Sequence, residues 1–111
     1  MVWNGQDSNN INTRRFSRGG VSIRADIREA GQGGKQQIAV LDLSQSGFRM
    51  HCPFYIPDDR SVFLTMPGFA PMEARIAWHK GHEYGCEFLQ PLYPAVFDHI
   101  LRAFPALDSR R

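Results

Sequence analysis

The sequence predicts an all-β (mainly β) domain: six short antiparallel strands forming a barrel or a sandwich, followed by one C-terminal α-helix. Three observations lead there. Residues 21–89 carry apolar segments of alternating period, broken at regular intervals by glycine or proline. The last apolar segment changes to helical spacing. With 111 residues, 42% of them hydrophobic, the chain is large enough for one buried core and too apolar for general disorder.

Residues 1–11 are polar and turn-rich apart from Val2, Trp3 and Ile11, and read as a flexible N-terminal arm. The folded domain is expected over residues 12–104, with 105–111 as a short C-terminal tail. In "VSIRADI", Val21, Ile23, Ala25 and Ile27 share one face, which makes a half-buried strand. "EAGQGGKQQ" reads as the loop that follows it. "IAVLDLS" supplies a well-buried second strand, Ile38 to Leu43, and "QSG" turns the chain. "FRMHC" places Phe48, Met50 and Cys52 on one face. Pro53 and Pro57 bracket a connection to "SVFLTM", which ends at a Pro-Gly turn. In "MEARIAWH", Ala74, Ile76 and Trp78 alternate with Arg75 and Ala77. "KGH" turns into "EYGCEFL", where Tyr84, Cys86 and Phe88 share a face. Then Val96, Phe97, Ile100, Leu101 and Phe104 form a helical stripe, with Pro94 in the first turn and Pro105 at the stop. Such a helix would cover an open end or an exposed edge of the sheet.

Composition narrows the function. The net charge is only +2, so the chain is no general polyanion binder, yet eleven of its thirteen basic residues are arginine. Arginine suits planar, bidentate recognition of phosphate or a base edge. Cys52 and Cys86 make no CxxC pair and no disulfide framework, and both fall in strands, where a free thiol acts as a small hydrophobe. No apolar run approaches the ~18 residues of a membrane span. The twin arginine at 14–15 is followed by glycines and charges rather than by the apolar stretch of an export signal, so a cytoplasmic location is expected.

Enzyme constellations are missing. Ser44 has no nucleophile-elbow glycines. His79 and His82 have HxxH spacing but straddle a turn and lack further metal ligands nearby. "GQGGKQQ" is not a phosphate-binding Walker loop. No enzyme, no cofactor and no metal site are expected.

Two segments remain. "RRFSR" places Arg14, Arg15 and Arg18 just before the first strand, and "DLSQSG" places Asp42, Ser44 and Gly47 at the turn after the second. In an antiparallel meander these lie at the same end of the sheet. An arginine fork matches guanine O6 and N7, or a phosphate. Asp42 only accepts hydrogen bonds, which fits the N1–H and amino group of guanine. Ser44 can donate to phosphate or accept from the base. Gly47 permits a positive φ and lets bare backbone approach a ligand. Together these ask for guanine with phosphate attached.

RxxxR, about two dozen residues, then DxSxxG, with "YGCEFL" as closing strand, resembles the PilZ domain family over residues 12–104. These domains are bacterial receptors for cyclic di-GMP. The resemblance implies a six-stranded antiparallel β-barrel with a C-terminal helix, which binds cyclic di-GMP and passes the change to a downstream protein. It implies that Arg14 and Arg18 wrap the dinucleotide, that Asp42 and Ser44 grip a guanine edge, and that Gly47 is the turn glycine. Arg15 lies between the motif arginines, within reach of phosphate. A monomer without DNA, RNA or membrane insertion is expected. Two rivals stand beside this. One is a protein-interaction adapter of the same fold that binds no nucleotide. The other is a barrel for single-stranded nucleic acid, which would need exposed aromatics along a basic groove; Phe48, Phe63, Trp78, Tyr84 and Phe88 are expected mostly on core faces.

Overall fold

The structure, a computed structural model, describes residues 23–31 and 33–107. Six strands form a closed barrel: β1 (Ile23–Glu29), β2 (Gln36–Leu43), β3 (Gly47–His51), β4 (Ser61–Thr65), β5 (Met72–Lys80) and β6 (Glu83–Phe88). Around the barrel the order is β1-β2-β3-β6-β5-β4, with β4 pairing back to β1, and every pairing is antiparallel. Closure leaves no edge strand unpaired. The barrel, rather than the sandwich, is therefore the architecture.

Alternation places Ala25, Ile27, Ile38, Val40, Phe48, Met50, Val62, Leu64, Ala74, Ile76, Tyr84, Cys86 and Phe88 inside. Cys52 and Cys86 are both free and buried in that core. Helix α1 (Pro94–Ala103) adds Ile100 and Leu101 to the same core. Pro94 opens the helix and the Phe104 N–H bonds the Ile100 carbonyl at its end. The segment expected as a tail begins with a 3-10 turn, Pro105–Leu107, whose Leu107 is buried and which packs against β2. At the opposite end the 52–60 connection is pinned by Tyr84. Its buried hydroxyl accepts the Ile56 N–H at 3.0 Å and donates to the Phe54 carbonyl at 3.3 Å.

Two bulges interrupt the alternation. In β2, Val40 pairs with Met50 and Asp42 with Arg49, so Leu41 is an extra residue. In β5, Ile76 pairs with Cys86 and Trp78 with Gly85, so Ala77 is extra. A bulge re-aims the residues beyond it. Trp78 therefore faces outward, 46% exposed, against the expectation that it alternates with Ile76 into the core. Phe63 also faces outward, with the Arg28 guanidinium 4.6 Å above its ring.

Candidate functional site

The bulges build one lateral row on the outer face of the barrel: Asp42 on β2, Arg49 on β3, Gly85 on β6 and Trp78 on β5. Were β2 regular through Leu41, strict alternation from buried Val40 would turn Asp42 inward, but the bulge absorbs Leu41 and keeps Asp42 on the outer face. The bulge at Ala77 does the same for Trp78 after buried Ile76. Gly85 lies in the row because the Trp78 indole lies across it. A side chain there would overlap the indole ring. A glycine inside a strand commonly marks such a close approach.

This row lines a surface groove of about 540 Å³ that also includes Ser44, Ser46 and Gly47. That volume falls within the range of small-molecule sites. Asp42, Ser44 and Gly47 are thus brought together along one groove. Arg14, Arg15 and Arg18 lie outside the described residues. The register does set where they join the fold: Ile23 pairs with Val40, so β1 begins at the rim where β2 ends and the 44–47 turn begins.

The turn is tightly bonded. The Ser44 N–H donates to the Gly47 carbonyl at 2.8 Å, the Gly47 N–H donates to Ser44 Oγ at 3.2 Å, and Ser44 Oγ lies 3.2 Å from Ser46 Oγ. Gly47 does not have the positive φ expected of it. Among the described glycines that conformation belongs to Gly31, Gly68 and Gly81. Gly47 is needed instead because a Cβ would overlap the backbone carbonyl of Cys86. The turn is also tied to the chain ahead of α1. The Phe88 N–H donates to the Ser46 carbonyl at 2.8 Å, the Leu92 N–H to the Gln45 carbonyl at 2.9 Å, and Gln45 Nε2 to the Leu92 carbonyl at 2.8 Å.

Electrostatics in the groove centre on Arg49. Its Nε donates to Asp42 Oδ2 at 2.9 Å, and its Nη2 lies 2.9 Å from the same oxygen. Its Nη1 donates to Glu83 Oε1 at 3.0 Å. Burial works against the Arg49 charge, but Asp42 and then Glu83 outweigh it and hold the guanidinium above its ordinary pKa. All three side chains are a third or more exposed, so the cluster adds only about 0–1 kcal/mol per pair to stability. Its consequence is orientation. Glu87, also in the groove, is paired with Arg75 at 2.8 Å. Cys86 reaches the groove wall, but burial pushes its thiol up to about 12, so it is no nucleophile.

A family model described as the PilZ domain matches residues 12–104. The chain belongs to the PilZ domain family. No curated protein matches the chain in sequence. The PilZ barrel accounts for the six strands and the closing helix, and residues 42–47, the DxSxxG stretch of this chain, form the turn that borders the groove. Sequence reasoning missed Arg49, Trp78, Gly85 and Ser46 as parts of this PilZ groove. The interior glycine of "EYGCEF" was the available signal for Trp78. Among the described residues there is no His, Cys, Asp or Glu cluster able to hold a metal, and no helix is long and apolar enough to cross a membrane. His79 stacks on Tyr84 with ring centroids 4.4 Å apart, and its Nε2 lies 2.9 Å from the Gly81 carbonyl.

Proposed function

We propose that this PilZ domain is a receptor for cyclic di-GMP, which binds in the Asp42–Trp78 groove and is closed over by Arg14, Arg15 and Arg18. The observation that carries this reading is the pair of bulges. They aim a carboxylate and an indole into one groove, at the rim where β1 begins. The indole offers a flat face for a purine, and Asp42 offers an acceptor for its N–H groups. Within the described part of the groove, Arg49 is engaged by Asp42 and Glu83, and nearby Arg75 by Glu87. Both guanidinium charges are thus already offset by carboxylates, so the charge of ligand phosphates calls for further cations. Chain connectivity supports the arginine segment as their source, because Arg18 is five residues from Ile23 and so within ~17 Å of it.

The change on binding is read by a protein partner in this proposal. The 44–47 turn is bonded to the 88–92 segment, which carries exposed Leu89 and leads to exposed Tyr93 and Val96. No catalytic step is assigned to the chain. The test is calorimetric titration of cyclic di-GMP into the full chain, with GTP as control ligand and Arg18→Ala, Asp42→Ala and Trp78→Ala as variants. Micromolar or tighter binding, weakened at least tenfold in each variant and absent with GTP, is the expected result. Ligand at a hundredfold excess over Kd should add about 2.7 kcal/mol of stability. No heat and no shift in Tm at saturating nucleotide would overturn the receptor reading and favour the adapter.

A further inference from the structure

The contacts of Arg49 on Asp42 gather on one carboxylate oxygen. Both Nε and Nη2 lie 2.9 Å from Oδ2, while among the described residues no donor takes Oδ1. Arginine carries five N–H groups in a rigid fork. Nε is directed at Asp42 and one Nη1 proton at Glu83. Protons remain on the outer edge of the fork, and Arg49 lines the groove beside Asp42. The groove thus presents one acceptor, Oδ1, next to one cationic donor. Gly85, the neighbour of Arg49 in the row, puts no side chain between this pair and the Trp78 indole.

We propose that Arg49 is a specificity-determining residue of the site: Asp42 Oδ1 accepts the N1–H of a 6-oxopurine while Arg49 donates to its O6. This rests on the nucleotide reading above and changes what recognises the base. Asp42 acting alone would grip N1–H and the 2-amino group with its two oxygens. Asp42 with Oδ2 held by Arg49 has one oxygen to offer, so the 2-amino group becomes dispensable and O6 becomes essential. Adenine presents an acceptor at N1 and a donor at the 6-position, the reverse order.

The experiment compares cyclic di-GMP with cyclic di-IMP, in which hypoxanthine replaces guanine and the 2-amino group is gone. Both are titrated into the full chain, unaltered and as Arg49→Met, which keeps an unbranched apolar stem and removes every donor. The unaltered protein should bind the two ligands within about fivefold of each other. Arg49→Met should lose at least tenfold in affinity for cyclic di-GMP, the value of about one hydrogen bond to a charged group. Its preference for cyclic di-GMP over cyclic di-IMP should widen beyond tenfold, because both Asp42 oxygens are then free for N1–H and the amino group. A merely structural role would weaken both ligands and leave their ratio unchanged. Arg49→Lys guards against misfolding of the first variant. It keeps a cation beside Asp42 without the planar fork, and should shift the ratio in the same direction. An unchanged ratio in the folded variants, or strong rejection of cyclic di-IMP by the unaltered protein, overturns the assignment while leaving the receptor reading intact. Absence of cyclic di-GMP binding by the unaltered protein takes down the receptor reading, and this assignment with it.

Discussion

Gly85→Ala is the substitution that most directly tests how the groove is built. The new methyl group would occupy the space of the Trp78 indole, so the ring must lift away. Trp78 is 46% exposed. A tryptophan can bury 150–250 Å², so roughly 100 Å² is covered here, and losing that contact costs about 2.5 kcal/mol at ~25 cal/mol per Å². Alanine recovers about 0.5 kcal/mol over glycine in a strand. The net loss of about 2 kcal/mol should lower Tm by roughly 8–16 °C for a domain of this size. The sign should reverse once the indole is gone. In a Trp78→Ala background, Gly85→Ala should be neutral or stabilising by about 0.5 kcal/mol. Thermal unfolding of the two single variants and the double variant measures this coupling. If the single effects add to within ~0.5 kcal/mol of the double, the indole does not depend on the glycine and the account of the row is wrong.

Gly47→Ala forces β3 and β6 apart at the Cys86 carbonyl, and should destabilise by about 1–3 kcal/mol in denaturant unfolding, whether or not nucleotide is present. Tyr84→Phe leaves the Ile56 N–H without its partner in the core, and should cost about 1–3 kcal/mol in the same assay. Burial raises the Cys86 thiol from its ordinary 9.0 to about 12, so the folded state holds the proton that the unfolded chain releases. That contribution is complete below about pH 9 and is lost as pH rises toward about 12. Stability of the unaltered protein should fall over this window, in part with Tyr84, whose hydroxyl burial also raises. Cys86→Ala should show a shallower fall in urea unfolding measured at successive pH values.

Period-two alternation was enough to locate all six strands to within about two residues at most ends, because a closed barrel buries one face of each. The helix was legible from its stripe and its two prolines. Asp42, Ser44 and Gly47 were legible as one turn, and the structure places them along one groove. Two things were not legible. The first was the outward turn of Trp78: its spacing from Ile76 fits a core position, and only pairing with β6 reveals Ala77 as an extra residue. The second was the Asp42–Arg49–Glu83 cluster, which joins three strands. The sequence places these residues seven and thirty-four positions apart, with no periodic signal linking them. Leu107 escaped for a related reason. The stop at Pro105 ends the helix, but the chain turns back and packs a last side chain on β2.

The bulges at Leu41 and Ala77 make the site a matter of parity. Along a strand, inside and outside are odd and even positions, and one added residue exchanges them. Asp42 and Trp78 reach the groove because each strand absorbs its added residue in a bulge instead of passing the exchange on. Deletion of Leu41 or Ala77 would leave Asp42 next to Val40, or Trp78 next to Ile76, in regular register and still facing outward, whereas flattening the bulge with the residue kept would turn the carboxylate or the indole toward the barrel interior. Two PilZ chains that differ by one residue in β2 or β5 would therefore present the same outer face, provided the longer strand bulges. For this groove, the pairing register carries more information than the number of residues between landmarks.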